Sequence, residues 1–268
     1  MLGRKKIEEL EVHVKLEEPL TSDSCCKLIL ELVKYLLYQK QQIPVSYEYL
    51  LRLGSSSVGV TDRSLATARA TLSCLENISE HLNIELCRES AVVKEIVISM
   101  GATILAPKFC LRVSLPPEIL SGQCHFKQQH SPRKPLLNLM RSITESGEFQ
   151  EAMALPLMPT NTFFLLQKSD SNKVSEFFVP KPRYTVSNVT AGSRFHLKLS
   201  HKSQEMWNCN CKNTVSVYRD RDVSYLESAP SQNTAENGST EKMFEGIQDS
   251  IYQWYQSRDI IKGFKFSR

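Results

Sequence analysis

Glycine is scarce in this chain, with ten among 268 residues. No glycine cluster could bring several backbone N–H groups onto a phosphate, and neither G-x-x-x-x-G-K-[ST] nor G-x-G-x-x-G occurs. H-E-x-x-H is missing too, which removes the common zinc-hydrolase signature. No run approaches the ~20 apolar residues of a membrane-spanning helix. Net charge is only +4, from 33 basic and 29 acidic side chains. That is too weak to argue for nucleic acid, and the basic residues are not interleaved with aromatics as in RNA-binding modules. The opening "MLGRKKIEELEVHVKLEEP" has no apolar core of the signal-peptide kind. The eight cysteines are therefore expected as reduced thiols, in cytosol or nucleus.

Those cysteines are poorly spaced for chemistry. Cys25 and Cys26 are adjacent, Cys209 and Cys211 lie two apart, and Cys124-His125 is followed by His130. None has the second matching pair of a structural zinc site. Cys124 and His125 are also poor nucleophile and base, because neighbours in sequence rarely aim at each other. A thiol enzyme using Cys124 or Cys209 is the alternative from another functional class. The working expectation is no enzyme, no metal and no cofactor. Charge is uneven: residues 101–200 carry twelve Lys or Arg against six Asp or Glu. Such a face attracts acidic protein partners, although a solvated surface is the commoner meaning.

The patterning predicts an α+β domain. Residues 1–20 are charged without a clear period and read as a loose N-terminal arm. Thr21, Ser22 and Asp23 are N-cap candidates for a helix. From Cys25 to Tyr38 only Lys27, Glu31 and Lys34 are strongly polar, a thin stripe on a helix otherwise buried by several neighbours. The helix ends in Gln39-Lys40-Gln41-Gln42, before Pro44. A short helix over 45–53 is allowed. Leu65, Ala68, Leu72, Leu75, Ile78 and Leu82 recur at spacings of three and four, predicting a second long helix with one apolar face. A third runs from about Lys134 to Thr144, with Leu136, Leu137, Met140 and Ile143 inward or interfacial.

Between and after these the period changes to two. "EIVISM" at 95–100, "KFCLRVSL" at 108–115, "TFFLLQ" at 162–167, "EFFV" at 176–179 and "RFHLKLS" at 194–200 predict strands. The alternation in "KFCLRVSL" and "RFHLKLS" predicts antiparallel neighbours with one wet face. Residues 203–245, including "ESAPSQNTAENGSTEK", are too polar to offset their ordering entropy and read as a disordered insertion. Residues 246–268 then supply a C-terminal strand segment that completes the domain 21–202.

Five strings occur in order: "CCKLILELVKYLLYQKQQIPVSYEYL", "APKFCLRVSL", "LPLMPTNTFF", "FVPKPRYTV" and "WYQSRDIIKGFKF". Together they resemble the comet family of adaptors, which bind the spindle-checkpoint component Mad-two. The resemblance covers roughly 22–202 and 251–268. It implies a HORMA-like fold, with three helices packed on an antiparallel sheet. It also implies a non-enzymatic adaptor, monomeric on its own, with no nucleic-acid or membrane partner. Such an adaptor binds the closed conformer of Mad-two and presents it to a hexameric AAA+ remodelling ATPase, which silences the mitotic checkpoint. The implied places are nucleus and cytoplasm, with spindle or kinetochore in mitosis.

The resemblance also implies site residues. For Mad-two these are Tyr38 and Gln39 at the end of the first helix, with Leu136 and Met140 on the third. At Met140 the family has an aromatic; Met is flexible and apolar and can fill the same pocket. For the ATPase they are Pro180 and Lys181, where two nearby prolines favour an extended edge segment with Lys181 projecting. Trp254 and Phe264 are implied to lie in a C-terminal segment that occupies the peptide site of its own sheet. The rival inside the fold family traps a peptide under a mobile C-terminal belt.

Overall fold

The computed structural model describes residues 9–55, 62–88, 92–120, 131–169, 175–186, 192–201 and 252–266. They form five helices and eight strands, an α+β arrangement. The strands join one sheet in the order β1-β6-β3-β2-β4-β7-β5, with β8 also on β4. Their ranges are β1 Leu10–Leu16, β2 Val93–Gly101, β3 Pro107–Ser114, β4 Asn161–Ser169, β5 Phe178–Pro180, β6 Ser193–His201, β7 Tyr252–Ser257 and β8 Ile261–Lys262.

Two expectations need correction. The loose arm over 1–20 fails at Leu10–Leu16, which is a strand running parallel to β6. Val12, Val14 and Leu16 point into the core while Glu11, His13 and Lys15 point out. The alternation was in the sequence, masked by charge at every second position. The sheet is also not purely antiparallel, because β6 runs parallel to both β1 and β3. Alternation reports which residues share a face, even where, as at Cys110, Arg194 and His196 here, the face expected to be wet is buried. It carries no information on which way the neighbouring strand runs. The remaining pairings, β2 with β3 and β4, β7 with β4 and β5, and β8 with β4, are antiparallel.

The helices are α1 Ser22–Gln39, α2 Tyr47–Ser55, α3 Asp62–Cys87, α4 Arg133–Glu145 and α5 Gly147–Ala154. The three long ones fall where the apolar spacing puts them, and α2 is the short helix allowed over 45–53. The fifth, α5, was unforeseen; Ser146 both ends α4 and caps α5 by accepting from the Phe149 N–H. Thr21 is the N-cap of α1. Its Oγ1 accepts from the Ser24 N–H at 3.2 Å, and Ser24 Oγ accepts from the Thr21 N–H at 2.8 Å. This reciprocal capping box satisfies two donors that a helix start would otherwise leave unpaired.

The main core lies between the helices and one sheet face. Leu28, Ile29, Leu32 and Leu36 of α1 meet Leu75, Ile78 and Leu82 of α3, with Ile96, Ile98, Phe109, Leu111 and Phe164 from the sheet. Burying one such side chain contributes roughly 1.5–3 kcal/mol. On α1 only Asp23, Lys27, Glu31, Lys34, Tyr35, Tyr38 and Gln39 escape full burial, and of these Lys27, Tyr38 and Gln39 are exposed. The opposite sheet face carries a smaller cluster, Val97, Cys110, Phe163, Leu165 and Tyr184, with Trp254 against it.

Two cation–carboxylate clusters fasten this frame. Lys168 on β4 and Glu85 on α3 are each 1% exposed and pair at 2.6 Å, with Arg88 on the other carboxylate oxygen at 2.9 Å. On the outer face Arg112 forks onto both oxygens of Glu95 at 2.9 Å and reaches Glu9 at 2.9 Å. That second cluster holds β1 to the sheet from its polar side. The insertion read over 203–245 lies outside the described residues.

Candidate partner-binding surface

The end of α1 divides its polar residues by burial. Gln39 and Gln41 are exposed, whereas Lys40 and Gln42 are 2% and 0% exposed. The division follows from the backbone. The Gln41 N–H donates to the Tyr38 carbonyl and the Gln42 N–H to the Leu37 carbonyl, and Gln41 has φ of 52°. This is a Schellman ending, with Gln at the left-handed position where glycine is usual. The reversal turns Gln42 back under the helix.

Gln42 then ties three segments together. Its Nε2 donates to the Lys40 carbonyl at 2.9 Å and the Leu157 carbonyl at 3.3 Å. Its Oε1 accepts from the Thr160 N–H at 2.8 Å, and its backbone carbonyl accepts from the Phe264 N–H at 2.9 Å. Gly263 runs so close that a Cβ there would sit 2.3 Å from Oε1. Lys40 Nζ donates to the carbonyls of Ala152 and Leu155 and lies 5.0 Å from the Phe109 ring centre. No carboxylate is among these partners, and burial pulls its ammonium down to about 8. Sequence reasoning missed both residues. The one available signal was Ile43 directly after them, an apolar residue that had to enter the core.

With Lys40 and Gln42 fixed inside, Tyr38 and Gln39 are displayed. Tyr38 is 49% exposed and stands between two grooves. One, of about 290 Å³, is lined by Glu31, Lys34, Tyr35 and Tyr38 of α1, Ser46, Tyr47 and Glu48, and Leu136 and Met140 of α4. The other, of about 680 Å³, is lined by Tyr38, Gln39, Gln41, Ile43, Pro44, Lys265 and Phe266. So Tyr38, Leu136 and Met140 share one groove, and Gln39 lines the next. Leu136 and Met140 are half-buried, seated on the core, while Leu137 is 56% exposed. Leu139 and Ile143 take the inward side of α4. The groove wall is stiffened by Lys34, which pairs with Glu31 at 2.7 Å and lies 4.0 Å from the Tyr47 ring centre. Apolar walls, one exposed aromatic and a charged rim are the anatomy of a protein-binding patch.

Pro180 and Lys181 lie elsewhere, at the outermost strand. Pro180 is exposed and ends β5; the Lys181 N–H donates to the Trp254 carbonyl at 2.7 Å. Proline and lysine at a sheet edge protect it from pairing with other chains. Trp254 sits in β7, opposite Gln167 of β4, and packs edge-on against Tyr184 with ring centres 5.4 Å apart. Phe264 packs on the main core. The C-terminal strands are thus bonded into the sheet, β7 between β4 and β5 and β8 along β4.

Burial raises the thiols of Cys25, Cys26 and Cys110, the last two to about 11, which keeps them protonated and poorly nucleophilic. Cys124, His125, Cys209 and Cys211 lie outside the described residues. Among the described residues no group of three or more His, Cys, Asp or Glu could hold a metal, and no helix is long and apolar enough to cross a membrane.

Comparison with known proteins places the frame. A profile of p31comet, described as Mad1 and Cdc20-bound-Mad2 binding, matches residues 6–207. The chain belongs to the p31comet family. It is 28% identical over 187 residues to the human MAD2L1-binding protein, covering 65% of each chain. The mouse MAD2L1-binding protein is 27% identical over 186 residues, 65% of this chain and 64% of that one. The chain therefore spans just under two thirds of the length of either relative. Both relatives are named as binding proteins. The family match includes α1, α4 and β5 and starts ahead of β1, so β1 belongs to the family's domain.

Proposed function

We propose that this chain is a non-enzymatic adaptor that binds the closed conformer of Mad2 through the α1–α4 face. Tyr38, Gln39, Leu136 and Met140 form the contact. The observation that carries this reading is the exposed Tyr38 between two grooves, with Leu136 and Met140 across the first. A rigid aromatic beside an apolar helix face makes a strong anchor, and truncating such a residue costs about 2 kcal/mol or more of binding.

The fold is of the HORMA kind in this reading, and the C-terminal segment with Trp254 and Phe264 fills the chain's own peptide site. A mobile belt would require β7 to leave both β4 and β5, and that favours the adaptor over the peptide trap. Pro180 and Lys181 on the outermost strand are the contact for a hexameric AAA+ ATPase, which remodels the Mad2 presented to it and ends checkpoint signalling. The adaptor works in nucleus and cytoplasm, at the spindle or kinetochore in mitosis.

Calorimetry with peptide-bound Mad2 tests the contact. Met140→Lys places an ammonium in the groove and should lower affinity by about a hundredfold, about 3 kcal/mol. Met140→Phe restores an aromatic and should tighten binding by up to about tenfold. A folded Met140→Lys protein that binds Mad2 like the parent removes this face from the interface. For the ATPase, Lys181→Ala should leave Mad2 affinity intact and abolish ATPase-driven release of Mad2; unchanged release would remove that edge.

A further inference from the structure

We infer that Ser131 is the phosphoacceptor of a proline-directed protein kinase that requires a basic residue three positions later, and that its phosphate caps α4. The string is Ser131-Pro132-Arg133-Lys134. Of the twelve prolines in the chain, only Pro132 follows a serine or threonine. A proline-directed kinase therefore finds one matching dipeptide, and that dipeptide alone also carries the basic residue at the third position. All four residues are described, and Ser131, Arg133 and Lys134 are exposed.

The first turn of α4 can open for such an enzyme. Pro132 and Pro135 bring no N–H to it, and Pro132 at the N-cap makes no side-chain capping bond. A weak side-chain bond supports the start, from the Arg133 N–H to Ser131 Oγ at 3.3 Å, beside the backbone bond from the Leu136 N–H to the Pro132 carbonyl at 3.0 Å. Lys134 reaches out to Glu18, with a side chain 66% exposed. So the kinase has a reachable hydroxyl, a proline that directs it, and a reachable ammonium to hold.

In the transfer, Ser131 Oγ attacks the γ-phosphorus of ATP. The new oxygen–phosphorus bond replaces the one to the β–γ bridging oxygen, ADP leaves, and the hydroxyl proton passes to the kinase's catalytic carboxylate. The product carries about −1.5 to −2 charge at pH 7. That charge sits where α4 begins, beside the backbone N–H groups of Arg133 and Lys134 and within one turn of their side chains. Each of these interactions favours the helical first turn. A weakly capped start becomes a strongly capped one. This reading is independent of which partner docks on α4.

The test uses the full chain, a purified cyclin-dependent kinase and ATP. Intact-mass analysis should show one added phosphoryl group, mapped to Ser131 by fragmentation. Ser131→Ala should accept none, and Lys134→Gln should accept it more slowly. Hydrogen exchange over 131–137 should slow on phosphorylation in the parent and stay unchanged in kinase-treated Ser131→Ala. No incorporation, or incorporation that survives Ser131→Ala, overturns the site. Phosphate on Ser131 with unchanged or faster exchange overturns the capping role.

Discussion

Removing the Gln42 side chain should loosen the whole end of the molecule that displays Tyr38. Gln42→Ala deletes the bonds to the Lys40 and Leu157 carbonyls and from the Thr160 N–H, at 2.9, 3.3 and 2.8 Å. At ~1 kcal/mol for each hydrogen bond lost, stability should fall by about 3 kcal/mol. For a domain of this size about 1 kcal/mol moves the midpoint by ~2–4 °C, so Tm should drop by about 6–12 °C. Gln39→Ala, an exposed amide three residues earlier, should change stability by less than ~0.5 kcal/mol. The assay is thermal unfolding by circular dichroism on the parent and both variants. The reasoning is refuted if Gln42→Ala melts within ~2 °C of the parent. It is equally refuted if Gln39→Ala falls as far, because the two amides would then not differ in role.

Three further outcomes follow from single side chains. The Lys40 ammonium is pulled by burial to about 8 from 10.5, so the unfolded chain holds more protons between those values and stability should rise with pH across that window. The ceiling is about 3 kcal/mol; between urea unfolding at about pH 7.5 and 9.5 the parent's stability should change more favourably than that of Lys40→Met, the buried thiols of Cys25, Cys26 and Cys110 opposing the rise equally in both proteins. Glu85→Gln leaves Lys168 charged, 1% exposed and without its carboxylate, and should cost ~3–5 kcal/mol, read as a lower urea midpoint at constant slope. Gln41→Gly relieves a side chain at φ of 52° and should stabilise by about 1 kcal/mol; a lower Tm would mean that the Gln41 side chain contributes a contact larger than the strain.

Legibility in the sequence tracked how periodic each feature was. The core faces of α1 and α3 read directly, because Leu28, Leu32 and Leu36, and Leu75, Ile78 and Leu82, repeat at helical spacing. The central strands read as well, since Phe109, Leu111 and Val113 alternate with Cys110, Arg112 and Ser114. Strand direction did not read, because the parallel pairing of β6 with β1 and β3 depends on what crosses between them. The strand β1 was hidden by Glu11, His13 and Lys15, whose charges suggested an arm; on the folded sheet Glu11 pairs with Lys198 at 2.7 Å. On the surface, only the resemblance singled out Tyr38, Gln39, Leu136 and Met140, and the fold brings three of them to one groove. Composition alone offered no reason to choose them over any other solvated helix end.

The polar cluster after α1 shows why such choices resist sequence reasoning. Gln39, Lys40, Gln41 and Gln42 have similar hydropathy, and a window average gives them one character. A single left-handed residue splits them. Gln41 takes a conformation that costs roughly 1–2 kcal/mol for a residue with a Cβ, and the chain turns so that Gln42 faces inward. Its amide then meets carbonyls and an N–H from segments more than a hundred residues away. Those bonds, with the Lys40 ammonium on two further carbonyls, offset the backbone strain. The interior half of the cluster fixes the angle at which α1 ends, and the exterior half inherits that angle. Tyr38 therefore projects between two grooves because Lys40 and Gln42 do not project at all. A partner that reads Tyr38 and Gln39 reads, indirectly, the bonds of two residues it never touches.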